Sequence, residues 1–216
     1  MTNTAAEINR LRQVYSKEIL DESMVNSNPI LQFDLWMKEA LEADVPEPHA
    51  MNISTVSKDG KPSSRIVLLR DFSDNGFVFY SNYNSKKGND INENNFGAIN
   101  FFWPQLERQI RIEGVLEKVD SKISDNYFAS RPHDSQLGAW ASNQSQVLKN
   151  REELEEKFAA LKKKFSGVKV PRPEHWGGYI LKPNSIEFWQ GRPSRIHDRI
   201  RYYSVNKKWK TERLSP

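Results

Sequence analysis

From Pro48 onward the chain is built of short alternating stretches separated by tight turns, and this pattern restricts the fold more than any other feature. Met51–Val56 alternates apolar and polar residues, and Lys58-Asp59-Gly60-Lys61 places Asp-Gly at the centre of a turn. Arg65-Ile66-Val67-Leu68-Leu69-Arg70 predicts a buried strand with a basic residue at each end. Ser73-Asp74-Asn75-Gly76 turns the chain into a further strand, Gly76–Ser81. Gly97–Trp103 and Gln109–Val119 predict two more. On the second, Ile110, Ile112 and Leu116 share one face while Gln109, Arg111 and Glu113 share the other. Strands return at Gly177–Leu181, Ser185–Gln190, Arg199–Val205 and Lys208–Arg213, with Gly191-Arg192-Pro193-Ser194 breaking the second from the third. Alternating β-α-β units are missing, which argues against a doubly wound sheet. The pattern predicts a mainly β chain with flanking helices: a mostly antiparallel barrel, closed or half-closed.

The helices fall between groups of strands. Asn28-Pro29 offers an N-cap followed by proline at the first helical position, and Ile30, Phe33, Met37 and Leu41 recur at helical spacing until Pro46. A short polar helix is expected within 84–95, and longer ones near 121–130 and 150–165. Residues 1–28 are polar, with Leu11, Val14, Ile19 and Leu20 at loosely helical spacing. They read as a mobile N-terminal arm or lid, and residues 29–216 as a single domain. Six tryptophans and eleven phenylalanines supply filling for a barrel or a surface for dimerisation.

Composition narrows the chemistry. No apolar run approaches the roughly 20 residues of a membrane helix. The N-terminus lacks the apolar core of a secretory signal, so a cytoplasmic location is expected. With no cysteine there is neither a disulfide framework nor a thiolate nucleophile. His49, His133, His175 and His197 lack metal-ligand spacing, so no metal is expected. Dinucleotide and Walker glycine loops are missing, as is a Gly-x-Ser-x-Gly elbow. The net charge is +4, with eight basic residues against two acidic ones between Arg192 and Arg213. The other basics are scattered singly, which suits discrete phosphates better than a polynucleotide track.

Motifs of Arg, Lys, Ser, Gln and aromatic residues then follow one another in order. They are Arg65–Arg70, Phe79-Tyr80-Ser81, Ser85-Lys86-Lys87, Glu107-Arg108-Gln109, Ser130-Arg131-Pro132, Asp134–Trp140, Asn143-Gln144-Ser145, Trp176-Gly177-Gly178, Glu187–Gly191 and Arg195–Arg199. Together they resemble the pyridoxine (pyridoxamine) 5′-phosphate oxidase family from about residue 8 to Pro216. The resemblance implies an FMN-binding split β-barrel, a homodimer with FMN at the subunit interface. It also implies an oxidoreductase of vitamin B6 biosynthesis and salvage. Pyridoxine 5′-phosphate and pyridoxamine 5′-phosphate would become pyridoxal 5′-phosphate by hydride transfer from C4′ to flavin N5, with dioxygen reduced to hydrogen peroxide.

By position, the resemblance implies that FMN meets Arg65, Ile66, Val67, Leu68, Leu69, Arg70, Tyr80, Ser81, Lys86, Lys87, Gln109, Gln144, Ser145, Trp189 and Arg199. Substrate would meet Arg12, Tyr15, Arg70, Tyr127, Arg131, Ser135, Arg195 and His197, with Arg195 and His197 as the catalytic pair. The residue types suit the task, because each phosphate needs its own cationic pocket. Lys86 and Lys87 would start a helix after Ser85, where amide donors, dipole and ammonium groups coincide. Tyr127 and Arg131, four apart on a helix, would share a face. Arg195 and His197, two apart on a strand, would too.

Two positions depart from the family pattern. Arg70 stands where a lysine is usual and Lys86 where an arginine is common. Charge is kept but geometry is not, since arginine is a planar fork and lysine a point charge. Arg70 is therefore expected to contact the substrate phosphate with altered affinity. Trp140 and Trp176 read as core or interface residues. Two other classes remain: a basic barrel stacking single-stranded nucleic acid on aromatics, and a split barrel that carries FMN or pyridoxal phosphate without turnover.

Overall fold

A computed structural model describes residues 3–11 and 13–216. The chain divides into two compact units interleaved in sequence. One comprises the residues up to Pro48 together with Phe101–Arg111 and Ser185–Pro216; the other comprises His49–Asn100 and Ile112–Asn184.

The second unit holds most of the strands. β1 (Ala50–Val56) and β2 (Pro62–Leu68) form a hairpin with Ile53 opposite Arg65, closed by a turn in which Gly60 adopts a φ of 77°. β3 (Asp71–Ser73) and β4 (Gly76–Asn82) form another. After α3 (Lys86–Glu93) come β5 (Phe96–Trp103), β6 (Arg108–Lys118) and, much later, β7 (Trp176–Gln190). The sheet order is β2-β1-β5-β6-β7-β4-β3. The β1–β5 and β4–β7 pairings are antiparallel, with Asn52 opposite Asn100 and Tyr80 opposite Gly178. α4 (Ser121–Ser130), α5 (His133–Ala141) and α6 (Arg151–Lys164) are inserted between β6 and β7. They pack around Phe128, Leu137, Phe165, Val170 and Trp176, a buried apolar cluster joined by Tyr80, Tyr127 and Trp140.

In the other unit, the helices are α1 (Asn3–Arg10) and α2 (Pro29–Glu42), and residues 13–28 between them form neither helix nor strand. The Asn28 side chain accepts the Ile30 N–H at 2.8 Å, so the expected cap forms. Phe33, Trp36, Met37 and Ala40 turn inward. Phe33 packs on Phe101 at 5.3 Å, and Trp36 meets Phe188 edge-on at 5.1 Å. The last residues of β7 pair with β8 (Asp198–Val205), which pairs with β9 (Lys208–Arg213). Asn206 and Lys207 take φ values of 52° and 61°, both left-handed, as a two-residue hairpin of this twist demands.

The mainly β, antiparallel class with flanking helices is what the sequence predicts, and three details differ. β7 is one fifteen-residue strand in place of two, because Lys182-Pro183-Asn184 continues the extended backbone without a turn. α5 was hidden by its short, glycine-containing run, His133–Ala141. β2 alternates with one face toward water, Ile66 being 66% exposed, because it is an edge strand. Among the described residues no helix is long and apolar enough to cross a membrane, and no cluster has the make-up of a metal site.

Phe188 is fully buried between Trp36 and Tyr202. Its replacement by alanine is expected to destabilise the protein by about 3–5 kcal/mol. Urea denaturation of the two forms measures this; a loss below about 1 kcal/mol would contradict the packing described here.

Candidate functional site

In the second unit, a cavity of about 320 Å³ opens beside β2 and β4. Ile66, Val67 and Leu68 of β2 line it, and Tyr80 and Ser81 come from β4. Three cations line it, Arg70, Lys87 and Arg131, and no carboxylate is among its lining residues. Lys87 lies in the first turn of α3, whose N-cap is Ser85. Its ammonium is buried and donates to Gln144 Oε1 at 2.7 Å and Ser81 Oγ at 3.0 Å, both neutral partners. Burial, and secondarily the charge of Arg65, push its pKa down to about 8.

Arg131 follows the last residue of α4 in extended conformation, φ −71° and ψ 150°. Gln136 fixes this corner, its Nε2 donating to the carbonyls of Phe128, Ala129 and Arg131 at 3.0–3.2 Å. The guanidinium lies 4.5 Å from the centre of the Trp176 ring, and its buried Nη1 has no hydrogen-bond partner. Burial lowers its pKa, and Arg70 adds to the effect. Tyr80 and Tyr127 stack at 3.8 Å with planes 11° apart, and Trp176 lies nearly parallel to both. Positive charge without counter-ions, an orphaned guanidinium donor and a flat aromatic wall are what a planar anion requires.

Other predicted residues of this unit are placed differently. Arg65 donates to Thr55 Oγ1 at 2.8 Å and Ser63 Oγ at 2.9 Å, and its Nη2 lies 3.9 Å from Asp90. Lys86 turns back to the same carboxylate at 3.1 Å. Arg65, expected to meet FMN, and Lys86, expected beside Lys87 at a phosphate, thus both face Asp90, and neither is among the residues that line the cavity. Leu69, Ser135 and Ser145 are also outside its lining, Ser145 with a left-handed φ of 72°. Trp176, read from sequence as core, is both core and cavity wall.

The first unit holds a separate cavity of about 730 Å³. Leu11, Gln13, Val14 and Tyr15 line it from the N-terminal segment, and Arg192, Ser194, Arg195 and His197 from the turn after β7. Arg12 lies outside the described residues. Ser194 and Arg195 have φ values of 58° and 64°. Two consecutive left-handed non-glycine residues cost about 1–2 kcal/mol each, a strain typical of functional turns. The expectation of a strand carrying Arg195 and His197 is corrected: β8 begins at Asp198, and this strained turn, not strand alternation, directs both into one cavity.

His197 is oriented by its neighbours. Its Nδ1 accepts the Arg192 N–H at 3.1 Å, so the proton of the neutral ring resides on Nε2. Burial lowers its pKa, and the Arg195 charge lowers it further. The ring packs on Trp189 at 4.6 Å, and Tyr15 lies within 6 Å of both rings. Here, then, is a neutral hydrogen-bond donor beside a cation. Arg199 is bound by both oxygens of buried Glu187, at 2.8 and 3.0 Å, which raises its pKa. Arg111 lies 3.5 Å from the same carboxylate. Gln109 lies half-buried on β6. Sequence reasoning missed Arg192, whose backbone sets the histidine tautomer; a backbone role leaves no signal in residue type.

The chain is similar to known proteins over nearly its whole length. The family described as pyridoxamine 5′-phosphate oxidase matches residues 37–165, and the pyridoxine 5′-phosphate oxidase C-terminal dimerisation region matches residues 176–216. A pyridoxine/pyridoxamine 5′-phosphate oxidase of Actinobacillus pleuropneumoniae serotype 3 is 54% identical over 97% of this chain and 100% of its own length. One from Haemophilus influenzae is 51% identical over the same shares. Among solved structures, PhzG from Burkholderia lata 383, in complex with tetrahydrophenazine-1-carboxylic acid, is 32% identical. It covers 93% of this chain and 100% of its own, with a TM-score of 0.87. An FMN-binding, pyridoxamine 5′-phosphate oxidase-related protein of Nostoc punctiforme PCC 73102 shares the fold at 16% identity. It covers 85% and 97%, with a TM-score of 0.68.

The state of Lys87 yields a prediction with a definite sign. Below pH 8 its ammonium is charged and attracts a dianion; above about 8 it loses the proton. Inorganic phosphate binding, followed by titration calorimetry, should weaken by up to about tenfold per pH unit above 8. The Lys87→Met variant should bind weakly and without this dependence. Equal affinity at pH 7 and 9 in the parent would refute it.

Proposed function

The chain belongs to the pyridoxamine 5′-phosphate oxidase family, and from that membership we propose that it uses FMN to oxidise pyridoxine 5′-phosphate and pyridoxamine 5′-phosphate to pyridoxal 5′-phosphate. The observation that carries this reading is the carboxylate-free cavity with the partnerless Arg131 Nη1. A phosphate ester brings about −1.5 to −2 charges at pH 7 and three acceptor oxygens, which match the unpaired donors there. The residues fit FMN as well. Lys87, Ser81 and Gln144, with the backbone of Ile66–Leu68, would hold its phosphate, while Arg70, Tyr127 and Arg131 hold that of the substrate. FMN, when bound, would supply the hydride acceptor, N5, for the oxidation at C4′, with dioxygen as the final electron acceptor, reduced to hydrogen peroxide.

Arg195 orients the substrate ring and its C4′ substituent. His197, protonated on Nε2, donates a hydrogen bond to the substrate and is not the base. The protein acts as a homodimer in the cytoplasm. The cation-lined cavity of one protomer works with Trp189, Arg195, His197 and Arg199 of the partner subunit. In support, all four fall within the stretch that matches a dimerisation region. The family's split-barrel fold suits this use, since its strands hold the cavity rigid while loops carry the reacting side chains.

Two experiments test the proposal. The purified protein is expected to be yellow with flavin absorbance, and to release peroxide when pyridoxine 5′-phosphate is added. An FMN-loaded protein that releases none with either vitamer sinks the oxidase reading. Arg131→Ala and Arg195→Met are each expected to lose at least about a hundredfold in kcat/KM, the second while keeping FMN. Co-expressed, they should regain roughly a quarter of parent activity, because half the dimers carry one intact site. No recovery in mixed dimers would rule out a site shared between subunits.

A further inference from the structure

Glu107 has no part in the function proposed above, yet it is a buried carboxylate, 3% exposed, in the turn after the 3-10 segment Pro104–Leu106. Its φ is 54°, the left-handed region, which bulky residues avoid unless their surroundings hold them there. Its backbone carbonyl accepts the Gly191 N–H at 2.7 Å and Gln190 Nε2 at 3.3 Å. That fastens it to the start of the turn that carries Arg192, Arg195 and His197. Its side chain faces elsewhere: Oε2 accepts the N–H groups of Ser16 and Lys17, at 2.8 and 3.0 Å. One residue thus joins the His197 turn to the segment that carries Tyr15.

Gly191 completes the seat. A methyl group at this position would come within 2.8 Å of Tyr15 Cβ and Cγ, and 3.0 Å of Glu107 Cβ, so only glycine leaves room for the tyrosine. Tyr15 then lies 5.8 Å from Trp189 and 5.9 Å from His197. The segment is also tied further on, where the Leu20 N–H donates to Asp198 at 3.1 Å and Arg213 pairs with Glu22 at 2.6 Å. Those ties do not reach Tyr15.

We propose that Glu107 is a positioning residue for substrate binding: it seats residues 13–17 so that Tyr15 forms a wall of the cavity lined by Arg195 and His197. This rests on the reading that the cavity takes the phosphorylated pyridine substrate. The carboxylate suits the task because hydrogen bonds to an ionised acceptor are roughly twice as strong as neutral ones. Without it, the two N–H groups gain as much from water as from the seat, and the seated population falls. Apparent substrate affinity then falls by the same factor.

The test uses the FMN-loaded protein with Glu107→Ala and Glu107→Gln. In Glu107→Ala, KM for pyridoxine 5′-phosphate should rise about tenfold to a hundredfold while kcat stays within about threefold. Glu107→Gln, close in shape and keeping a neutral acceptor oxygen, should fall between it and the parent, and remains available if the alanine form does not fold. Hydrogen exchange at the Ser16 and Lys17 amides should quicken in the same order. In a Tyr15→Ala background, the Glu107→Ala change should add little further loss. Faster exchange with unchanged KM would make Glu107 a merely structural tie, and unchanged exchange would remove the seat itself; either result overturns the proposal. An active parent with a normal Glu107→Ala variant overturns this inference alone. A parent inactive on both vitamers overturns the oxidase reading and this inference with it.

Discussion

Lys87 is held as a buried cation, and Arg131 as a half-buried one with a buried Nη1, in a cavity that offers no carboxylate to balance them, and the local architecture follows from that constraint. A buried charge ordinarily finds a counter-ion or gives up its proton. Lys87 goes part of the way, its pKa drawn down to about 8 while neutral oxygens of Ser81 and Gln144 solvate its ammonium. Arg131 cannot deprotonate at neutral pH, so it is supported by the π-face of Trp176 and leaves one donor empty. Such an arrangement survives only where the surrounding packing fixes it. The cluster of Phe128, Leu137, Phe165, Val170 and Trp176 does so, and Gln136 locks the corner that carries Arg131.

The neighbouring cations differ in having carboxylate partners. Arg65 and Lys86 share Asp90, and Arg199 is clamped by Glu187. Each of these charges has a carboxylate partner within the chain, whereas no carboxylate is among the residues that line the cavity of Lys87 and Arg131. The charge of Arg65 helps depress the pKa of Lys87. Two kinds of basic residue thus stand within a few residues of one another, alike in sequence and different in electrostatic state.

The second cavity achieves orientation by backbone strain and not by charge balance. Left-handed Ser194 and Arg195 turn the chain so sharply that Arg192, Ser194, Arg195 and His197 face one space. The same turn supplies the N–H that fixes the His197 tautomer. A neutral donor beside a cation favours binding an electron-rich ring over removing a proton from it. Glu107 and Gly191 extend this logic to the N-terminal segment, one by accepting its amides and the other by leaving space for Tyr15.

Residue types and their order were enough to determine the mainly β class, the cap of α2, the cation inventory and the family. Each depends on local propensity or on motifs that read the same in any context. The fate of each cation was decided by tertiary structure. Lys86 and Lys87 are adjacent and chemically identical, and only the turn of α3 sends one to Asp90 and the other into the cavity. Likewise Arg195 and His197 meet through left-handed dihedrals that no side chain announces. The continuity of β7 and the seat made by Glu107 were also out of reach, because they depend on pairings between residues far apart in the chain. Sequence specifies which groups are present; the partners that fix their charge and direction are set by long-range packing, where burial changes what each group can do.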